Sequence, residues 1–250
     1  MIYTCYEMIR DCRADKAEGW VYFISNYVPV IRKLAAHYGA DFESALVMLR
    51  NPQSSPFQSM EPAPERWLVA EMRQQIVAAA APSTAEIPLD LETVAAALET
   101  LTTVEKQAAW FQTMRFAPRP TAEALRMAAS TVEKIRERAD ELIRGKVDCW
   151  RPGLLAANGR ALGLEAAKAA TKACLPAKTF LDVLDGRSTW RGREETEQHV
   201  GACWHCIDHF CRMAEVIEVL RGLQPLSESE AAPLKKRLGI ETPKRPFWKR

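Results

Sequence analysis

The stretch HVGACWHC, His199 to Cys206, holds the residues of this chain best suited to chemistry. His199, Cys203 and Cys206 stand at i, i+4 and i+7, so a continuous helix would project all three from one face. Imidazole and thiolate are zinc donors, and a tetrahedral ion asks for a fourth. Cys174 answers in kind. Between Cys174 and His199, LPAKTFLDVLDGRSTWRGREETEQ reads as a helix, a turn at Asp185-Gly186 and the start of a second helix, a hairpin that returns Cys174 to the side of His199. His205, His209 and Cys211 are further donors nearby. The competing reading is an amphipathic helix with buried thiols, since free cysteine packs well in cores.

Four protein ligands leave no open position for water, so such a Zn2+ site is closed and structural. Its thiolates are already ionised, and oxidation of Cys203 with Cys174 or Cys206 would release the metal. No enzyme is expected: the chain has no Gly-rich phosphate loop, no nucleophile elbow and no paired carboxylates with a metal of their own. His37, the remaining histidine, reads as a core or capping side chain.

The elements that must position these residues are helical. With 250 residues, 48% hydrophobic and 26% charged, the chain has the composition of an ordinary globular protein. No apolar run is long enough to cross a membrane, and the N-terminus lacks a signal-peptide core, so a cytoplasmic location is expected. Seven cysteines, four of them in the last third beside histidines, suit a reducing compartment and a metal site better than a disulfide framework. A net charge of +2 does not itself argue for nucleic acid, although the segment PLKKRLGIETPKRPFWKR is basic.

Residues 1–81 read as a helical domain. The stripe Trp20, Phe23, Ile24, Val28, Ile31 and Leu34 marks a helix over 18–37 that Pro29 should kink or divide. NPQSSPFQSMEPAPE is expected as a loop before a helix over 64–80, and APSTAEIP at 81–88 as a linker. In 89–147, Asp90 and the Thr102/Glu105 pair offer caps. Prolines 118 and 120 should end a helix, Thr121 should cap a short one, and Ala129-Ser130 should turn the chain into a long helix over 131–146. A helix pair joined by a tight turn behind a supporting helix is a helix-turn-helix layout. Residues 148–173 form an Ala-rich connecting helix or tether, 174–224 the metal hairpin and 225–250 a basic tail.

Two resemblances give this layout a meaning. Cys174, the LDG at Leu184 to Gly186 and His199-x3-Cys203-x2-Cys206 together resemble the zinc-containing anti-sigma domain of bacteria, which implies zinc on Cys174, His199, Cys203 and Cys206. TAEALRMAASTVEKIRERADELIRG resembles the promoter-recognition region of extracytoplasmic-function sigma factors. It implies a second helix in the major groove, with Ser130, Thr131, Lys134, Arg136 and Arg138 toward promoter DNA and Val132, Ile135 and Leu142 toward the core. Glu133, Glu137, Asp140 and Glu141 on the same helix oppose phosphate contact. CRADKAEGWVYFISNYVPVIRKLAAHYGAD and ERWLVAEMRQQIV resemble the region of those factors that binds core RNA polymerase. Where that family has an acidic clamp-binding helix this chain has DFESALVMLRN, so no contact residue is carried over.

The fold expected is therefore all-α: a sigma-like helical bundle, a helix-turn-helix unit and a zinc-clipped helical hairpin. Two functions follow. One is a sigma-type regulator of transcription restrained in cis by its zinc domain; the other is an interaction module that binds a partner sigma or regulator protein without touching DNA.

Overall fold

The computed structural model describes residues 3–58, 64–80 and 88–240, and among them all regular structure is helical, with fourteen α-helices and no strand. The linker expected at 81–88 lies, except for Pro88, outside the described residues, as do positions 241–250 of the basic segment. The chain divides into two compact units, residues 1–81 with 219–250 and residues 82–218.

In the first unit, α1 (Cys5–Arg13) opens on a Thr4/Glu7 capping box and α2 (Ala17–Tyr38) packs along it. The stripe from Trp20 to Leu34 is buried as the spacing predicts. α3 (Phe42–Leu49) is capped by Asp41, and α4 (Pro64–Ala79) buries Leu68, Val69, Met72 and Ile76. The segment expected as a mere loop contributes to the core. A short 3-10 turn at Ser55–Phe57 delivers Phe57, fully buried, against Trp20 and Phe23, with ring centroids 5.1 and 5.3 Å away. Asp11, buried in the last turn of α1, accepts from Tyr3 Oη (2.8 Å), Arg10 Nε (3.0 Å) and Lys16 Nζ (3.2 Å). The Arg10 hydrogen bond, against burial and helped by Tyr3 and Lys16, holds its carboxyl down at about 2.

The second unit begins with α5 (Leu91–Ala97), whose first turn is satisfied twice. Asp90 accepts from the Thr93 amide (2.7 Å), and Glu165, far along the chain, accepts from the Leu91 amide (2.6 Å). α6 (Thr103–Trp110) carries the Thr102/Glu105 capping box that the sequence announces. The prolines behave differently from expectation: Pro118 starts α7 (Pro118–Leu125), because a proline at the first helical position loses no bond. Thr121 is then buried inside the helix, its hydroxyl bonded to the Ala117 carbonyl (3.0 Å), and is no cap. The turn also comes earlier. Arg126, at φ 55, closes α7 with a Schellman pair, its own amide to Glu123 O and the Met127 amide to Ala122 O, so α8 begins at Ala129 (Ala129–Arg144). α8 buries Val132, Ile135, Ala139 and Ile143, while Leu142 is only half-buried.

The Ala-rich stretch is core, where a tether or surface helix was expected. α9 (Leu154–Ala157) and α10 (Gly159–Lys168) bury Leu154, Leu155, Leu162 and Ala166, and a Cβ on Gly159 would lie 1.9 Å from the Thr113 carbonyl. Only glycine permits that approach. The hairpin helices α11 (Ala177–Leu184) and α12 (Trp190–Ala202) follow, then α13 (Trp204–Leu220).

The segment read as a basic tail holds α14 (Glu228–Arg237), which returns to α2. Ala231, Leu234 and Ile240 are buried, and Arg237 pairs with Glu43. This return explains how α2 runs unbroken through Pro29. Proline cannot donate to the carbonyl one turn back, that of Ser25, and the Leu226 amide donates to it instead at 2.7 Å. Leu234→Ala should cost about 2 kcal/mol in urea unfolding, and the Leu226 amide should exchange slowly with solvent deuterium. Asp11→Asn should cost about 2 kcal/mol at neutral pH. Because its folded-state pKa is depressed, the carboxylate contributes above its ordinary 3.8, and the gap to the parent should close as pH falls from there to about 2.

Candidate metal centre

The hairpin turn forms where Asp185-Gly186 places it. Gly186, at φ 73, gives its amide to Val183 O while the Arg187 amide reaches Asp182 O, and Thr189 caps α12 through the Gly192 amide. Ahead of α11, a turn at 171–174 holds Cys174, whose sulfur accepts from the Thr171 amide (3.2 Å). The expectation of one continuous helix from His199 to Cys206 needs correction. α12 stops at Ala202, Cys203 is extended (φ −127, ψ 104), and α13 starts at Trp204. His199 therefore sits in the last turn of one helix, Cys206 in the first turn of the next, and Cys203 at the break.

The break brings the four donors together. One ligand atom each from Cys174, His199, Cys203 and Cys206 lies within 4.8 Å of all the others, a group able to hold a metal ion such as zinc. Cys174 Sγ and Cys203 Sγ are 3.8 Å apart, and His199 Nε2 is 3.1 Å from Cys206 Sγ. An ion with arms of about 2.3 Å to sulfur holds two sulfurs about 3.8 Å apart in a tetrahedron. Cys206 is fully buried and the other three are partly so. Burial, opposed by the Leu175 amide and reinforced by the Cys203 and Cys174 thiols, pushes the Cys206 thiol up to about 12. Burial also raises Cys174, but the Thr171 amide and hydroxyl with the other two thiols outweigh it and leave that thiol below its usual value. Such crowding of thiols favours a cation, which reverses their mutual opposition to ionisation.

Of the other nearby donors, His205 and Cys211 are bonded elsewhere, whereas His209 Nδ1 is buried without a hydrogen-bond partner among the described residues. His205 Nδ1 is 3.1 Å from Ala166 O, and Cys211, fully buried, donates to Gln107 O (3.8 Å). His209 packs against Phe180 with the rings tilted (centroids 5.0 Å), and burial, with Arg212 and His205, drives its pKa down to about 3.

The hairpin rests on α6, a contact with no signature in the sequence. Lys106 Nζ donates to Gly201 O (3.0 Å) and Thr103 Oγ1 to Glu197 O (3.3 Å); a Cβ on Gly201 would lie 2.3 Å from that hydroxyl. Trp110 packs against Trp204 with tilted rings (centroids 5.2 Å) and gives its indole N–H to Asp208 (3.1 Å), a buried carboxylate also paired with Arg212 at 2.7 Å.

On α8, Ser130, Thr131, Lys134 and Arg138 are exposed, and Arg138 pairs with Glu105 (3.4 Å). Arg136 is turned inward. It is half-buried, donates to Thr121 Oγ1 (2.8 Å), and has its pKa lowered by burial. Glu133, Glu137 and Glu141 share the exposed surface of the helix. No helix among the described residues is long and apolar enough to cross a membrane.

Natively purified protein should carry one metal ion per chain by mass spectrometry. Cys174→Ser and Cys203→Ser should each abolish it, whereas Cys211→Ser and His205→Gln should leave it in place. Comparisons with family models, curated proteins and solved structures find no match for this chain.

Proposed function

We propose that the chain is a DNA-binding transcription regulator of the sigma-factor type, whose zinc-clipped hairpin restrains its helix-turn-helix in cis. The observation that carries this reading is the double duty of α6: it supports α7 and α8, and the metal hairpin rests on it through Lys106, Thr103 and Trp110. The three-residue turn between α7 and α8 and the exposure of Ser130, Thr131, Lys134 and Arg138 support a helix offered to promoter DNA. Zinc is the metal that a Cys3His set of this spacing favours, and with four protein ligands its role is structural. Loss of the metal would loosen the hairpin and with it the grip on α6. No polymerase contact is assigned to residues 1–81.

The acidic residues exposed along α8 and the inward turn of Arg136 favour a second reading, in which the same scaffold recruits a partner sigma or regulator protein without binding DNA. Fluorescence anisotropy with labelled duplex DNA separates the two. The first reading expects the chelator-treated protein to bind more tightly than the metal-loaded one, with affinity falling steeply as salt rises. Lys134→Ala should reduce the slope of log K against log salt by about 1. Absence of binding by both forms at low salt would leave the interaction module.

A further inference from the structure

Within the second unit a partly open cleft of about 100 Å3 lies between α6–α7 on one side and α11–α13 on the other. Its apolar wall includes Leu125, Val183, Val200 and Phe210, and its polar side carries Arg126, Arg193 and Glu197. Neither guanidinium has an ion-pair or hydrogen-bond partner among the described residues. For Arg193 the absence is informative. Glu197 stands at i+4 on the same helix and faces the same cleft without pairing with it, while the neighbouring Arg191 pairs with Glu195 at 2.9 Å.

Arg126 adds an independent observation. It occupies the left-handed cap of α7 at φ 55, a place where glycine is the unstrained choice, and an arginine there costs about 1 kcal/mol. From that position its Nη2 reaches the turn between α11 and α12, 3.2 Å from where a Cβ on Gly186 would lie. The strained residue thus extends its charge across the junction of the two walls.

We propose that this cleft binds a small organic monocarboxylate, its carboxylate between Arg126 and Arg193 and its alkyl or aryl body on the apolar wall. Two guanidiniums and one carboxylate leave a net single positive charge, which suits a monoanion better than a phosphate dianion. The planar guanidinium fork suits a carboxylate. The occupant touches both the turn that opens α8 and the turn of the metal hairpin, so it ties these two elements together. This site is independent of whether α8 binds DNA.

Titration calorimetry on the full metal-loaded chain tests the site with octanoate, octylamine and inorganic phosphate as probes. Octanoate should bind in about the millimolar range or tighter, and octylamine and phosphate should be silent. Arg126→Gly and Arg193→Gln should each weaken octanoate by about tenfold. Arg126→Gly should do so with an unchanged or raised thermal midpoint, because glycine relieves the left-handed strain, and this separates lost binding from lost folding. No heat from octanoate, binding undiminished in both variants, or equal binding of octylamine or phosphate would overturn the proposal.

Discussion

Everything distinctive about the second unit depends on a helix that stops for one residue. Were α12 and α13 continuous, His199, Cys203 and Cys206 would share a helical face, but at fixed spacings along its axis. Putting Cys203 in an extended conformation bends the path, so that the last turn of α12 and the first turn of α13 approach Cys174 together, with all four ligand atoms within 4.8 Å. The cluster brings three thiols and an imidazole close without a counter-charge among them, an arrangement that gains most from a bound cation.

The same break aims the start of α13 at α6. Asp208 lies one turn beyond it, and a buried carboxylate is tolerable only when its lone pairs are met. Trp110 and Arg212 meet them, at 3.1 and 2.7 Å. A buried charge with named partners specifies one docking geometry where apolar packing alone would allow several, and Gly201 permits the close approach that lets Thr103 and Lys106 bond the backbone of α12. The hairpin that carries the Cys3His cluster and the α7–α8 pair are therefore joined through polar contacts on one helix, α6.

A comparable polar constraint organises the first unit. Pro29 leaves Ser25 O without its helical donor, and the Leu226 amide from the far end of the chain takes that place. A residue that weakens a helix in isolation here provides the docking point for a distant segment, so the unit is closed by residues on both sides of the second unit in sequence.

Periodicity made the all-helical class, the apolar stripe of α2 and the Thr102/Glu105 cap legible, because these depend on neighbours within one or two turns. The spacing of Cys174, His199, Cys203 and Cys206 likewise pointed to the four residues that the structure brings within 4.8 Å of one another, a group that could hold a metal ion, since ligand chemistry restricts which residue types can serve. The sequence misled where a local signal had more than one use. Pro118 reads as a helix breaker but starts a helix, and the Ala-rich stretch lacks large side chains because α9 and α10 pack closely, as Gly159 against Thr113 shows. Local sequence thus determined most of the helices and the candidate donor set, though not α14 or the turn at Ser55–Phe57. Tertiary structure alone decided the break at Cys203, the seat of the hairpin on α6, the inward turn of Arg136 and the return of α14 to α2, because each is set by a polar or steric partner many residues away.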